Sequence, residues 1–599
     1  MEKKLLLLII CMSTLFSDLI HPPDQASLNY IHVKFRWGTE MGINEFQFQL
    51  TNANDALLID SLVTDTFLII KDEIEWFSTY HWKVYPINGG WSSSYSFSTK
   101  GNSASMFTDV DAVYIDPSIY NPELSLDGIT IYGIMDPYYS AAIDIEGKEI
   151  WNSNQYMFIN VKDNKEFFAN STFGNETQKE FGVQFTFEND IIWHEPRIDE
   201  NLNFLQHELI KLPNGNYMGL VPIFFDHYVP HSSNYPELAE FDPPYHFYFE
   251  DYFGGSAQFP CEWKTEKIVE WDSLGNEIWS WLPNNPDYGF NLNDFDEFNY
   301  WSEPQKNICI IDPFEWTHFN ALAYDNTDSS VYVSSKNLSR ITKINYNTKE
   351  IIWNLGANLR WWEDLDLNHI IFGNSGQHGL QILPNGNLVT FDNGIGGQTD
   401  LSTALEIKIS NVGEIYNVDT AWSYILPEAL YGTLSGNVQK LPNDNYLITT
   451  IGRSDGAYTI EVTPDKQIVW SCDYNVGLPM GKIYRAMRIP GLYENEFINS
   501  DSNMNISNNV NPTNFSIKSI YPNPFNPSVN IEFEQSELSV ISANIYNLNG
   551  QLIEHLFSGF NNIGSHNIIW NASDYPSGIY FIQLTNQSWS LSQKLMLIK

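Results

Sequence analysis

The chain has 599 residues, more than one hydrophobic core serves, and about 100–200 residues per domain predicts three to five domains. It is apolar enough to build them, at 43% hydrophobic and 15% aromatic, and one-sidedly acidic, with 73 Asp plus Glu against 31 Lys plus Arg and a formal net charge of -42. That charge repels nucleic acid and anionic membrane surfaces, so neither is an expected partner, and a site for an anionic substrate has to be assembled from few positive residues. Glu2-Lys3-Lys4 followed by a mostly apolar run over 5–16 is a signal-peptide pattern, expected over 1–17 and too short to span a bilayer. No later stretch approaches about 18 apolar residues, so no membrane span is expected. The four cysteines, at 11, 261, 309 and 472, have no CxxC or Cys/His spacing, so no metal or cofactor is predicted; a Cys261–Cys309 bridge and an unpaired set both stay open.

Residues 22–100 read as strands. Val33-Lys34-Phe35-Arg36-Trp37, Glu45-Phe46-Gln47-Phe48-Gln49-Leu50 and Tyr80-His81-Trp82-Lys83-Val84-Tyr85 alternate with period two, and Tyr95-Ser96-Phe97 closes the set. Their order, with Trp37 early and Tyr80 and Trp82 late, resembles a fibronectin type III β-sandwich.

Residues 105–495 carry a repeat, and repeats are read before anything else. A turn followed by a short strand ending in an aromatic recurs at Trp151, Trp193, Trp279, Trp353, Tyr416 and Trp470, from 42 residues apart (Trp151 to Trp193) to 86 (Trp193 to Trp279). A four-stranded blade needs about 40–50 residues, so the wider gaps hold insertions. A second unit alternates with the first: Leu212-Pro213-Asn214-Gly215-Asn216, Leu383-Pro384-Asn385-Gly386-Asn387 and Leu441-Pro442-Asn443-Asp444-Asn445. Asn-Gly there predicts a two-residue hairpin with both turn residues at positive φ. The whole predicts an all-β chain around a six-bladed β-propeller; seven or eight blades with degenerate repeats are the alternative.

Residues 496–514 are polar and Asn-rich, a linker by composition. From 515 to 599, Tyr521-Pro522-Asn523-Pro524-Phe525-Asn526-Pro527 precedes strands predicted at 529–533, 542–546, 568–570 and 578–584. With the Asn549-Gly550 turn, Pro576-Ser577-Gly578-Ile579-Tyr580 and Lys594-Leu595-Met596-Leu597, this segment resembles the C-terminal β-sandwich sorting domain of the type IX secretion system. The resemblance implies a Bacteroidetes-type bacterium, recognition by the type IX machinery, export to the cell surface or medium, and removal of the domain.

Three of the 13 histidines sit beside the blade pattern. His207 and His378 each lie five residues ahead of the Leu that opens a Leu-Pro-Asn-Gly-Asn turn, and His318 opens His318-Phe319-Asn320-Ala321-Leu322-Ala323-Tyr324 ahead of another turn. The innermost strand of each blade lines the central channel, so equivalent positions in different blades converge on one axis, and three imidazoles are expected to meet there.

Trp316-Thr317-His318-Phe319-Asn320, Ser334-Ser335-Lys336-Asn337-Leu338-Ser339, Trp353-Asn354-Leu355-Gly356, Gly376-Gln377-His378, Phe391-Asp392-Asn393-Gly394 and Gly436-Asn437-Val438-Gln439-Lys440-Leu441-Pro442 stand in an order that resembles the arylsulfotransferase family. The resemblance implies that His378 is the nucleophile, sulfated by an aryl sulfate donor and discharged to a phenolic acceptor without a nucleotide cofactor. It implies that His207 and His318, with Asn320 alongside, support the departing phenolate and the sulfuryl oxygens. Lys336 stands where the family has Arg; it keeps the charge and loses the planar fork. The family's threonine in the last catalytic blade has Thr433 and Ser435 as candidate counterparts. The alternatives are a non-catalytic propeller for adhesion or ligand binding and a hydrolase with an opened channel. His227, His231 and the aromatic stretch Asp242-Pro243-Pro244-Tyr245-His246 read as a loop over the channel mouth, and Trp361-Trp362 with Asp364 and Asp366 as a rim loop.

Overall fold

In the computed structural model, described residues are 19–38, 45–87, 91–102, 114–135, 138–196, 207–228, 260–290, 313–356, 369–395, 401–493 and 516–599, with short breaks inside the longer spans. The segment 1–17, the linker, the stretch 231–246, the rim loop at 361–366 and Cys309 lie outside them. The chain divides into two compact units, 1–494 and 495–599.

The first unit opens with a sandwich of two sheets. One holds Leu19–His21, Val33–Trp37 and Phe67–Ile70; the other holds Ala26–Leu28, Tyr95–Thr99, Thr79–Pro86, Phe46–Asn52 and Leu57–Val63. The period-two alternation delivers burial as expected: Val33, Phe35 and Trp37 point inward and pack on Phe48 and Trp82. The sandwich does not stop at its own edge. Ile31 N–H donates to Ile150 O, the Asn29 amide donates to Asn152 O and Phe187 O, and the apolar core runs on into the first two blades.

Six sheets follow, each with four antiparallel strands, and three of them carry a short fifth strand: Phe314–Glu315, His369–Ile371 and Tyr114–Ile115. Five are built in chain order from the inside outward, with inner strands Tyr156–Val161, Leu209–Lys211, Phe319–Asp325, His378–Ile382 and Asn437–Lys440. The remaining blade takes its three outer strands from Ile129–Met135, Tyr138–Ile143 and Glu149–Ser153 and its inner strand, Ile483–Ile489, from the end of the repeat. Each inner strand packs beside that of the next blade, and Ile483–Ile489 lies against both Asn437–Lys440 and Tyr156–Val161, so the ring closes at six. Radial repetition also leaves each blade with only short, protected edges.

The recurring residues have physical jobs. All six aromatics of the first repeat unit stand in the fourth strand of their blades. Three reach the next blade's outer turn with the indole N–H: Trp151 to Phe187 O, Trp279 to Tyr346 O and Trp470 to Ile145 O, the last crossing the ring closure. The Leu-Pro-Asn-Gly-Asn turns join first to second strands. Their Asn side chains donate to a carboxylate on the third strand: Asn214 and Asn216 to Glu270, Asn387 to Glu406, Asn443 and Asn445 to Glu461. The turn type differs from the one expected. Only Gly215 (φ 88°), Gly386 (φ 83°) and Asp444 (φ 67°) are left-handed in their turns, each closed by an N–H to the leading Leu carbonyl. Pro in second position holds φ near about -65°, which excludes a turn with two positive φ values.

The second unit is a sandwich of Ser516–Tyr521, Ser528–Gln535 and Gly564–Asn571 over Leu552–Asn561, Ser539–Asn547, Gly578–Thr585 and Ser590–Leu597. Its Pro-rich start places Phe525 in the core, against Trp570, with Phe525 N–H on Met596 O.

Candidate active site

The expected convergence occurs at the ends where the inner strands begin. The His207 and His318 rings lie 4.9 Å apart, centroid to centroid. His378 opens the neighbouring inner strand and exerts a field on His207, while Lys336 and His318 act on His378. His207 and His378 keep the same distance to their turns; His318 sits further out. What His207 and His318 share is left-handed backbone, φ 63° and 48°, at the residue that leads into the strand. Non-glycine residues at positive φ are held only by over-determined surroundings, and they cluster at functional sites.

The surroundings of His318 supply that constraint. Trp316 is buried against Trp263 and Phe290. The carboxylate of Glu266 accepts Phe319 N–H at 2.8 Å and Thr317 Oγ1–H at 2.7 Å, and Thr317 O takes Ser335 Oγ–H and Asn337 N–H. Phe314–Glu315 pairs in parallel with the third strand of the preceding blade, setting Glu315 opposite Lys264. Glu315 then spans Lys264 Nζ at 2.7 Å and His318 Nδ1 at 2.8 Å. Burial pushes its carboxyl up, but the contacts with His318 and Lys264 outweigh it and hold it well below the usual carboxylate range.

His378 is buried, and its Nδ1 lies 2.7 Å from Asn393 Oδ1 and 3.0 Å from Gly376 O. Asn393 is fixed in orientation because its Nδ2 donates to Gly432 O and Ser435 O. Both partners of Nδ1 are acceptors, so Nδ1 carries the proton and Nε2 keeps its lone pair. Desolvation first, then Lys336 and His318, lower the ring's pKa to about 3, so it is neutral at physiological pH. Asn393→Leu removes the acceptor that fixes this tautomer. The expected result is a loss of about 10²-fold in turnover with unchanged far-UV dichroism, the scale on which a displaced reacting group slows an enzyme.

Asn320 follows His318 in the same blade, and its Nδ2 donates at 2.7 Å to the carbonyl of Gln377, the residue before His378, which joins the two neighbouring inner strands. Lys336 is buried opposite His318, its N–H on His318 O, and supplies charge to His378. Ser435 is buried in the site with its hydroxyl on Tyr484 O and φ 52°, whereas Thr433 is exposed.

Sequence reasoning missed four members. Tyr484 accepts from His207 Nδ1 and donates to His207 O, both at 3.1 Å. Arg485 reaches Glu208 Oε2 at 2.6 Å and Asn320 O at 2.8 Å, tying the closing strand to two other blades. Glu208 and Glu315 complete the set. An Arg and a Tyr in the apolar run 483–489, and acids one and three residues from the two histidines, were the available signals. In a chain this acidic, the channel gathers Lys336 and three imidazoles, with Lys264 and Arg485 held in ion pairs by Glu315 and Glu208.

Residues 263–485 match the family model for arylsulfotransferase (ASST). The matched segment starts at Trp263, ends at Arg485 in the closing strand, and takes in His318, Asn320, Lys336 and His378; His207 stands before it. Residues 519–599 match the secretion system C-terminal sorting domain, which marks the chain for export to the cell surface or medium. No helix among the described residues is long and apolar enough to cross a membrane. No curated protein matches the chain. Among solved structures, a putative 6-phosphogluconolactonase from Bacteroides uniformis is 10% identical, with 74% of this chain and 99% of that one covered at a TM-score of 0.28. A quinonprotein alcohol dehydrogenase-like protein from Bacteroides thetaiotaomicron is 10% identical, with 76% and 96% covered at 0.29. PorZ, a surface component of the type IX secretion system of Porphyromonas gingivalis, is 11% identical, with 96% and 81% covered at 0.20.

Proposed function

We propose that the propeller channel transfers a sulfuryl group from an aryl sulfate ester to a phenolic acceptor through a sulfo-histidine at His378. The observation that carries this reading is the doubly accepted Nδ1–H of buried His378, which leaves Nε2 as an unprotonated, desolvated nucleophile. The match to the arylsulfotransferase family supports the substrate class. In the first half-reaction Nε2 attacks sulfur as the aryl oxygen departs; in the second, a phenol oxygen attacks sulfur as Nε2 departs. The transition states are loose by analogy with phosphoryl transfer, so positioning and the charge of Lys336 supply most of the rate. Export through the type IX machinery places the enzyme where the donor and acceptor are extracellular phenolics, a setting in which no nucleotide donor is needed. Because His378 gains its proton only near pH 3, it adds no limb to the rate profile between pH 5 and 8.

The test is steady-state transfer from 4-nitrophenyl sulfate to phenol. Parallel double-reciprocal lines are expected, the pattern of a ping-pong route. Nitrophenol release at the same rate with and without phenol would make the protein a hydrolase, and no release from several aryl sulfates would favour a binding propeller.

A further inference from the structure

His378 takes its orientation from two acceptors on separate pieces of chain. Gly376 O belongs to the segment that leads into the inner strand, and Asn393 Oδ1 to the residue just past the second strand. The two pieces are knitted at one place. Asp392, the last residue of the second strand, accepts Ser375 N–H at 2.8 Å and Gly394 N–H at 3.1 Å on the same carboxylate oxygen. Gly394 N–H also reaches Ser375 O at 3.1 Å, and Ser375 Oγ–H donates to Ile395 O. Gly394 is left-handed, at φ 69°, and a Cβ there would collide with Leu401 O, so glycine is what lets the pieces come this close. Asp392 is the one ionisable member of this clamp. We propose that Asp392 is a positioning residue for His378: its carboxylate clamps Ser375 to Gly394, keeps Gly376 O and Asn393 Oδ1 together on Nδ1, and does so fully only while ionised. This deepens the transferase reading and rests on it.

Hydrogen bonds to an ionised acceptor are roughly twice as strong as neutral ones, so the clamp weakens when the carboxylate takes up a proton. Asp392 is buried, and burial outweighs its two N–H bonds and pushes its carboxyl up to about 6. The group is therefore ionised above that pH, where the clamp is tight, and protonated below it, where the clamp is slack. Of residues 374–378, 393–395 and 402–405, the segments packed against Asp392, only His378 titrates, and it stays neutral from pH 5 to 8. No charged side chain among the described residues acts on Asp392. An acid limb in this range thus reports the clamp and not the nucleophile.

The experiment is the pH profile of kcat from pH 5 to 8, for transfer from 4-nitrophenyl sulfate to phenol, in the full chain and in Asp392→Asn. Wild-type turnover is expected to fall about tenfold as the pH drops through about 6, the scale of removing the charge from two hydrogen bonds. Asp392→Asn has nearly the same shape and never carries the charge. Its turnover is expected to be flat, about tenfold below wild type at pH 8 and level with it at pH 5. A variant that keeps the acid limb, or that equals wild type at pH 8, would overturn the proposal. A second readout needs no turnover and no folded variant. The Gly394 amide proton, followed by NMR in chain labelled with ¹⁵N-glycine, is expected to move upfield as the pH falls, with its midpoint at about 6, because its acceptor loses charge. An amide that stays still between pH 5 and 8 overturns the clamp. If the wild-type chain turned over no aryl sulfate, the transferase reading would fall while this titration still decided whether Asp392 holds Gly394 as an ionised acceptor.

Discussion

His378→Ala is expected to lower phenol-dependent sulfuryl transfer by roughly 10⁴-fold or more while leaving the propeller folded, because removing a nucleophile removes the two-step route itself. The folding half of this expectation follows from the neighbours. His378 stands at a strand end, its Nδ1 bonds are to Gly376 O and Asn393 Oδ1, and Asn393 keeps two further bonds of its own. The imidazole thus contributes chemistry more than scaffold. Measured by nitrophenol release beside a thermal melt, residual activity within tenfold of wild type would remove His378 from the role given to it.

Arg488→Met is expected to destabilise the first unit by about 3–5 kcal/mol, the scale for stranding one partner of a buried ion pair. Arg488 lies in the strand that closes the ring, and neither its side chain nor that of Glu461 is exposed. Its guanidinium binds Glu461, Thr130 Oγ1 and Leu126 O, and stacks over Trp470. One residue set therefore ties the last blade to the first. The double variant Arg488→Met/Glu461→Gln should recover part of the loss, since no charge then stays buried alone. Urea unfolding of the full chain measures both; equal stability of Arg488→Met and wild type would mean that closure does not depend on this pair. Tyr484 and Arg485 ride on the same strand, so loosened closure should also weaken catalysis.

The repeat was legible because it is chemical. Six turn-plus-aromatic units gave six blades, and the aromatics recur because outer strands need a donor and a stacking face for the next blade. Three histidines were legible because they stand beside that pattern. The partners that decide their roles were not. Arg485 meets Glu208 across 277 positions of sequence, and Tyr484 meets His207 across the same span, a pairing that exists only once the ring closes. Asn393 was visible as part of Phe391-Asp392-Asn393-Gly394, but its function depends on facing His378 from just past the end of the second strand. Asn320 was visible beside His318, but its bond to the carbonyl of Gln377 in the next blade appears only in the folded ring. The hairpin turns were placed correctly and typed wrongly, since Pro and Asn-Gly made opposite demands on φ and Pro prevailed.

The most direct test of the account is to mix the purified chain with aryl sulfate in the absence of acceptor, quench, digest and map modified peptides by mass spectrometry. The account predicts one sulfuryl group on the peptide containing His378, lost on adding phenol and missing from His378→Ala. Turnover without any such adduct, or an adduct on His207 or His318 instead, would contradict it.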